Sequence, residues 1–89
     1  MLDIKYSNRF KKDLKSIKKQ NKYNIDELKY VIKKLVNQEK LERKYNDHVL
    51  NGEYNGFREC HIRPDWLLIY LREDNGILLS RTGSHSELF

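Results

Sequence analysis

Phe57-Arg-Glu-Cys-His-Ile-Arg-Pro-Asp-Trp-Leu-Leu-Ile-Tyr-Leu-Arg-Glu-Asp-Asn-Gly-Ile-Leu-Leu-Ser-Arg81 is the stretch that decides the fold. From Phe57 to Arg63 the side chains alternate. Cys60 and Ile62 face one way, Glu59 and His61 the other, which is the period-two signature of a strand with one covered face. Pro64-Asp65 is turn chemistry. Leu67 to Leu71 is apolar at every position, as expected of a central strand covered on both sides. Asp74-Asn75-Gly76 contains the Asn-Gly pair that tolerates the positive φ angles of a tight hairpin turn. Ile77 to Arg81 returns as the next strand.

Working outward, Leu2, Ile4 and Tyr6 alternate with Asp3 and Lys5 and predict a short strand. Ser7 then offers a helix N-cap. Phe10, Leu14 and Ile17 follow at helical spacing, and the helix should end near Gln20. Asn24 is a second N-cap, with Glu27 as its expected capping-box partner. Ile25, Leu28, Ile32 and Leu35 carry an apolar stripe to about Gln38. The two helices form an antiparallel hairpin with one apolar and one Lys-rich side. Leu41 to Asn51 is polar and less regular, Gly52 and Gly56 mark turns, Gly83 permits a bend, and Ser84 with Glu87 caps a final turn. The order predicts an α+β fold: a short N-terminal strand and a basic helical hairpin packed on a mainly antiparallel sheet. The other sheet face is left partly open, and parity assigns His61 and Arg81 to it.

Eighty-nine residues imply a single domain, residues 1–89, with a thin core. The net charge of +5 is unevenly placed. Met1 to Asp47 holds 14 basic and 7 acidic residues, hence +7; His48 to Phe89 holds 4 basic and 6 acidic, hence −2. The basic half suits a polyanion, or else is a solvated helix face. The lone cysteine, Cys60, excludes an internal disulfide and fits a reduced, cytoplasmic protein. The longest apolar run, Leu67 to Leu71, is too short for a membrane span.

The three histidines, His48, His61 and His85, all lie outside the Lys-rich half, near Asp65, Arg58 and Arg81. Imidazole titrates near neutral pH, at about 6.5 when unperturbed, so this set suits acid–base chemistry on an anion. Metal-free cleavage of an RNA phosphodiester requires a base for the ribose 2′-OH, a cation for the phosphorane and an acid for the departing 5′-oxygen. Imidazole fits either proton role, and arginine fits the phosphorane. Asp65 is either a base, an orienting group for an imidazole, or a turn residue. Arg81 either holds phosphate or pairs with Glu59 or Glu53. Trp66 either stacks on a base or anchors the core under the turn. Phe89 either stacks on a nucleobase or folds back on the helices. Zinc is disfavoured: no HExxH or CxxC spacing occurs, and the arginines would repel a cation. Cys60, on the covered parity, is read as inert.

His48-Val-Leu-Asn-Gly52, Gly56-Phe-Arg-Glu-Cys-His-Ile-Arg-Pro-Asp-Trp-Leu-Leu-Ile-Tyr70 and Arg81-Thr-Gly-Ser-His-Ser-Glu-Leu-Phe89 resemble the YafQ group of bacterial toxins, within the RelE/ParE superfamily. The resemblance implies a type II toxin–antitoxin system and a metal-independent mRNA interferase without cofactor. It implies a ribosome-dependent endoribonuclease that cuts mRNA in the A site and is neutralised by a DinJ-like antitoxin. It also implies a catalytic set of His48, His61, Asp65 and His85, with His85 as general acid. Arg81, Trp66, Phe89 and Arg58 would bind substrate. Two other readings are a non-enzymatic ParE-like toxin and a basic nucleic-acid-binding module.

Overall fold

A computed structural model of the chain covers residues 1–89. Its elements run β1 (Asp3–Tyr6), α1 (Asn8–Gln20), α2 (Ile25–Val36), β2 (His48–Val49), β3 (Arg58–Arg63), β4 (Trp66–Arg72), β5 (Gly76–Gly83) and α3 (His85–Leu88). Single 3₁₀ turns at Arg43–Tyr45 and Gly52–Tyr54 flank β2. The five strands form one sheet in the order β1-β5-β4-β3-β2. All pairings are antiparallel except β1 with β5, which is parallel. A parallel neighbour needs a long crossover, and the helical hairpin belongs to the chain that intervenes between these two strands.

Short side chains set the helix ends. Ser7 Oγ accepts from the Phe10 amide at 2.9 Å and caps α1, while donating to the Ser80 carbonyl at 2.7 Å. Asn21, left-handed at φ 52°, ends α1. Asn24 caps α2 by accepting from the Asp26 amide at 3.0 Å. Glu27 departs from its expected capping role. Its carboxylate is taken by the Arg63 guanidinium, a stronger charge-assisted partner than a helix amide.

β1 covers only the Gly76–Leu79 half of β5. Beyond it, α1 closes the edge: the Ser7 amide donates to Leu79 O at 3.0 Å, and Asp13 Oδ2 accepts from the Thr82 amide at 3.2 Å. The open ladder groups of an edge strand are thereby paired within the chain.

The principal core lies between the helices and one sheet face. Phe10, Ile17, Leu28 and Val31 meet Cys60, Trp66, Leu68, Ile77 and Leu79. Each large apolar side chain removed from water here contributes roughly 1.5–3 kcal/mol. The opposite face of β4 carries Leu67 and Ile69, packed with Leu88 from α3 and flanked by Leu50, Tyr54 and Phe57. β4 is therefore covered on both sides over its central part, as its continuous apolar run predicts. The second cluster is small, and the rest of that face is left to polar side chains. One segment differs from expectation: the polar stretch before Gly52 contains a strand, because His48 and Val49 pair with Glu59 and Arg58 of β3.

Candidate active site

The ladder register sets the polar face. His48 lies opposite Glu59 on β3, and His61, two residues further along the same face, lies opposite Leu67 of β4. His85 opens α3, whose start is fixed by a reciprocal capping box between Ser84 and Glu87. The result is a row of imidazoles. The His48 and His61 ring centres are 5.9 Å apart, those of His61 and His85 5.7 Å, and Phe89 follows His85 at 6.4 Å.

Each imidazole is oriented through Nδ1. His48 Nδ1 donates to the Asn46 carbonyl at 2.7 Å, and His61 Nδ1 faces the Pro64 carbonyl at 3.4 Å. A carbonyl only accepts, so Nδ1 carries the proton and Nε2 is the atom free to exchange one. Both Nε2 atoms converge on one oxygen, Glu59 Oε2, at 3.2 Å from His48 and 3.6 Å from His61. The Glu59 side chain is only 6% exposed, and its other oxygen, Oε1, has no hydrogen-bond partner. At 3.2 Å, Glu59 Oε2 forms an ion pair with His48 Nε2 when that ring is protonated.

His85 is held differently. Asp65 Oδ1 accepts from both the His85 amide and its Nδ1, each at 3.1 Å. These two donors, the main-chain amide first, hold the Asp65 carboxyl below its usual range. Asp65 is 67% exposed, yet with Nδ1 committed to it, His85 presents Nε2 outward. Arg81, on the same face opposite Ile69, is gripped by Asp13 through Nε at 2.7 Å and Nη2 at 3.2 Å. Asp13, with help from Tyr54, keeps the guanidinium pKa raised. Arg81 lines a cleft of about 470 Å³ with Arg9, Tyr54 and Phe89.

His48, His61, Asp65 and His85 are thus brought together, and Arg81 shares their face. Two other predicted site residues are elsewhere. Trp66 is wholly buried, so no substrate reaches it; it is the core anchor under the turn, stacked on Tyr23 and donating Nε1 to Thr82 Oγ1 at 2.9 Å. Arg58 projects on the opposite, helix-side parity, opposite Tyr70, and its Nε donates to Asp47 at 3.3 Å. Phe89 does not fold back on the helices. It is 63% exposed and stands edge-on to Tyr54 at 5.9 Å. Cys60 is buried, and burial pushes its thiol far above the ordinary range, which leaves it inert as a nucleophile.

Sequence reading missed Glu59 as the shared acceptor and Asp13 as the partner of Arg81. Parity already set Glu59 beside His61, so its role was available once His48 was placed in a strand. Asp13 carried no local signal, because its contact joins a helix to a strand 68 residues away. The His48, Glu59 and His61 ligand atoms also lie within 4.8 Å of one another, which fits a transition metal taking two imidazoles and a carboxylate.

The fold is that of a class of small bacterial toxins. The family model described as a bacterial toxin of type II toxin–antitoxin system, YafQ, matches residues 2–89, and the chain belongs to that family. The mRNA interferase toxin YafQ of Escherichia coli K12 is 41% identical over 88 residues, covering 98% of this chain and 95% of that protein. A copper-bound mutant toxin from Helicobacter pylori superposes with a TM-score of 0.93 at 42% identity, over 100% of both chains. YafQ in the E. coli DinJ–YafQ complex superposes with a TM-score of 0.90 at 39% identity, over 100% of this chain and 99% of that one. No helix is long and apolar enough to cross a membrane.

Proposed function

We propose that this toxin is a metal-independent endoribonuclease that cuts mRNA in the ribosomal A site and so arrests translation. The observation that carries the reading is the row of imidazoles, each with Nδ1 tied down, the Nε2 atoms of His48 and His61 meeting at Glu59 Oε2 and that of His85 turned away from Asp65. Such groups move protons without a cofactor near neutral pH. A base in the His48–Glu59–His61 group takes the proton from the ribose 2′-OH. The 2′-oxygen attacks phosphorus, the bond from phosphorus to the 5′-oxygen breaks, and His85, entering as the imidazolium with Nδ1–H on Asp65, gives its Nε2 proton to that oxygen and is left neutral. The products are a 2′,3′-cyclic phosphate and a 5′-hydroxyl. Asp65, occupied by two donors from His85, orients the acid and is not the base. Arg81 steadies the phosphorane, and Phe89 stacks on a flanking base.

The Lys-rich helices would face ribosomal RNA. A DinJ-like antitoxin would cover the site and stabilise the toxin by mass action. The same chemistry suits the cytoplasm, where mRNA and ribosomes meet. A metal held by His48, Glu59 and His61 would instead supply a Lewis acid at that position. The copper-bound relative makes this the second reading.

Both are tested in a translation extract with a defined mRNA, reading cleavage by primer extension. Toxin is first bound to programmed ribosomes, then taken through a single turnover with chelator present. Cleavage under chelation is expected. Cleavage that returns only with added transition metal favours the second reading. Growth arrest retained in full by His85→Ala and Asp65→Ala, with mRNA intact, identifies a non-enzymatic toxin.

A further inference from the structure

The Asp65–His85 pair has an unusual weakness: its carboxylate is exposed and sits on a two-residue turn between strands whose register shifts between His61 and Arg63. Something must hold that turn if the carboxylate is to stay 3.1 Å from the ring. We infer that Tyr23, on the loop joining the two helices, is a positioning residue that fixes the Asp65 turn and through it the His85 ring. This rests on the ribonuclease reading for its functional meaning, not for its geometry.

Tyr23 Oη donates to the Asp65 main-chain carbonyl at 3.2 Å, across 42 residues of chain. Its ring lies flat on Trp66, with centroids 4.3 Å apart and planes within 6°. Trp66 cannot move: it is fully buried, its Nε1 donates to Thr82 Oγ1 at 2.9 Å, and that hydroxyl donates to Leu67 O at 2.8 Å. Tyr23 is therefore a half-buried bracket bolted to the core at its ring and to the turn at its hydroxyl. The neighbouring Lys22 ammonium rides over the Tyr23 ring at 5.2 Å, and its charge favours the ionised forms of Asp65 and Glu87. The interhelical loop, which looks like a plain connection, thereby touches the turn that carries Asp65. It links the basic hairpin to the pair that handles the leaving group.

Tyr23→Phe separates the two contacts: it keeps the stack on Trp66 and removes only the hydroxyl. The expected result is a kcat lowered about tenfold, the upper value for one hydrogen bond, with KM for mRNA on the ribosome unchanged. The ring-nitrogen chemical shifts of His85, read by NMR on free toxin, should change from the single Nδ1–H tautomer towards a mixture. In an Asp65→Asn background Tyr23→Phe should have no further effect on either readout, because the group it positions is gone. A folded Tyr23→Phe protein with unchanged His85 shifts overturns the inference, and so does a loss of kcat that simply adds to that of Asp65→Asn. The NMR readout needs no RNA. If wild type cuts no mRNA but the His85 shifts respond, the ribonuclease reading fails and the positioning role stands.

Discussion

Two carboxylate–imidazole units sit side by side on one sheet face, and they are built on opposite plans. Glu59 is buried, shared by two imidazoles through a single oxygen, and left with the other oxygen unpartnered. Asp65 is exposed, serves one histidine, and accepts from that residue twice. An acceptor already satisfied by two donors is an orienting group: it fixes a tautomer and stabilises the charged partner. A buried carboxylate beside two Nε2 atoms, with one oxygen unpartnered, keeps an acceptor capacity that Asp65 has already used. Burial raises the cost of leaving charge unbalanced there, which ties Glu59 to the two imidazoles that face it. The proposed acid and base roles would thus be separated by environment, with similar residue types.

Exchanging the residues of each unit for neutral isosteres tests that division. Glu59→Gln keeps the volume but removes the buried charge that the two imidazoles face, and His85→Gln removes the proposed acid. Each should lower the single-turnover cleavage rate by about 10²–10⁴, the range for loss of acid–base catalysis. The Glu59→Gln protein should melt no lower than wild type, because one of its oxygens is already unpaired. Asp65→Asn should cost less, about 10–100-fold, since an orienting group is lost while the titrating ring remains. If Asp65→Asn were the more damaging change, the two assignments would have to be exchanged.

A smaller effect is expected outside the proton-handling groups. Asp13→Asn weakens a part-buried, two-pronged grip on Arg81 and the cap on the β5 edge. Hydrogen bonds to charged groups contribute about 1.5–3 kcal/mol each, so a loss of roughly 1–3 kcal/mol should appear in urea denaturation. A midpoint equal to that of wild type would mean that Arg81 is held by its strand alone.

The same contrast explains how much of this site was legible in the chain. The meander from Arg58 to Gly83 could be read because turn chemistry at Pro64-Asp65 and Asn75-Gly76 fixes its register. Register shifts between His61 and Arg63 and between Ile69 and Tyr70, which no turn residue announces, then bring His61 opposite Leu67 and Arg81 opposite Ile69, on the face of Glu59. The helical hairpin could be read from Ser7, Asn24 and the apolar stripes. Pairwise long-range choices could not. Glu27 had a local partner available and took Arg63; Asp13 bridged to Arg81 from another element. Trp66 and Arg58 stand beside site residues in sequence, but strand parity turns both towards the helices. Two-residue β2 was hidden because its partner strand, not its own composition, creates it.

The least costly perturbation is acid. Asp65 is held below the carboxylate range by the His85 amide and ring, and Glu87 by the Ser84 amide and hydroxyl. Their folded pKa values lie below their unfolded ones, so both favour the folded arrangement above the unfolded values, about 4. That contribution fades as pH falls through the folded values. Both carboxylates tether the same short helix, α3, while no comparable acid-sensitive tie fixes β4 to β5. Hydrogen exchange followed from pH 6 downwards should therefore show the Ser84 and His85 amides losing protection only below about pH 4, under the ordinary carboxylate range, while those of Leu68 and Ile69 remain protected. Simultaneous loss at both places would mean that α3 and the sheet open as one unit. In that case the exposed Asp65 unit would be no more independent than the buried one at Glu59.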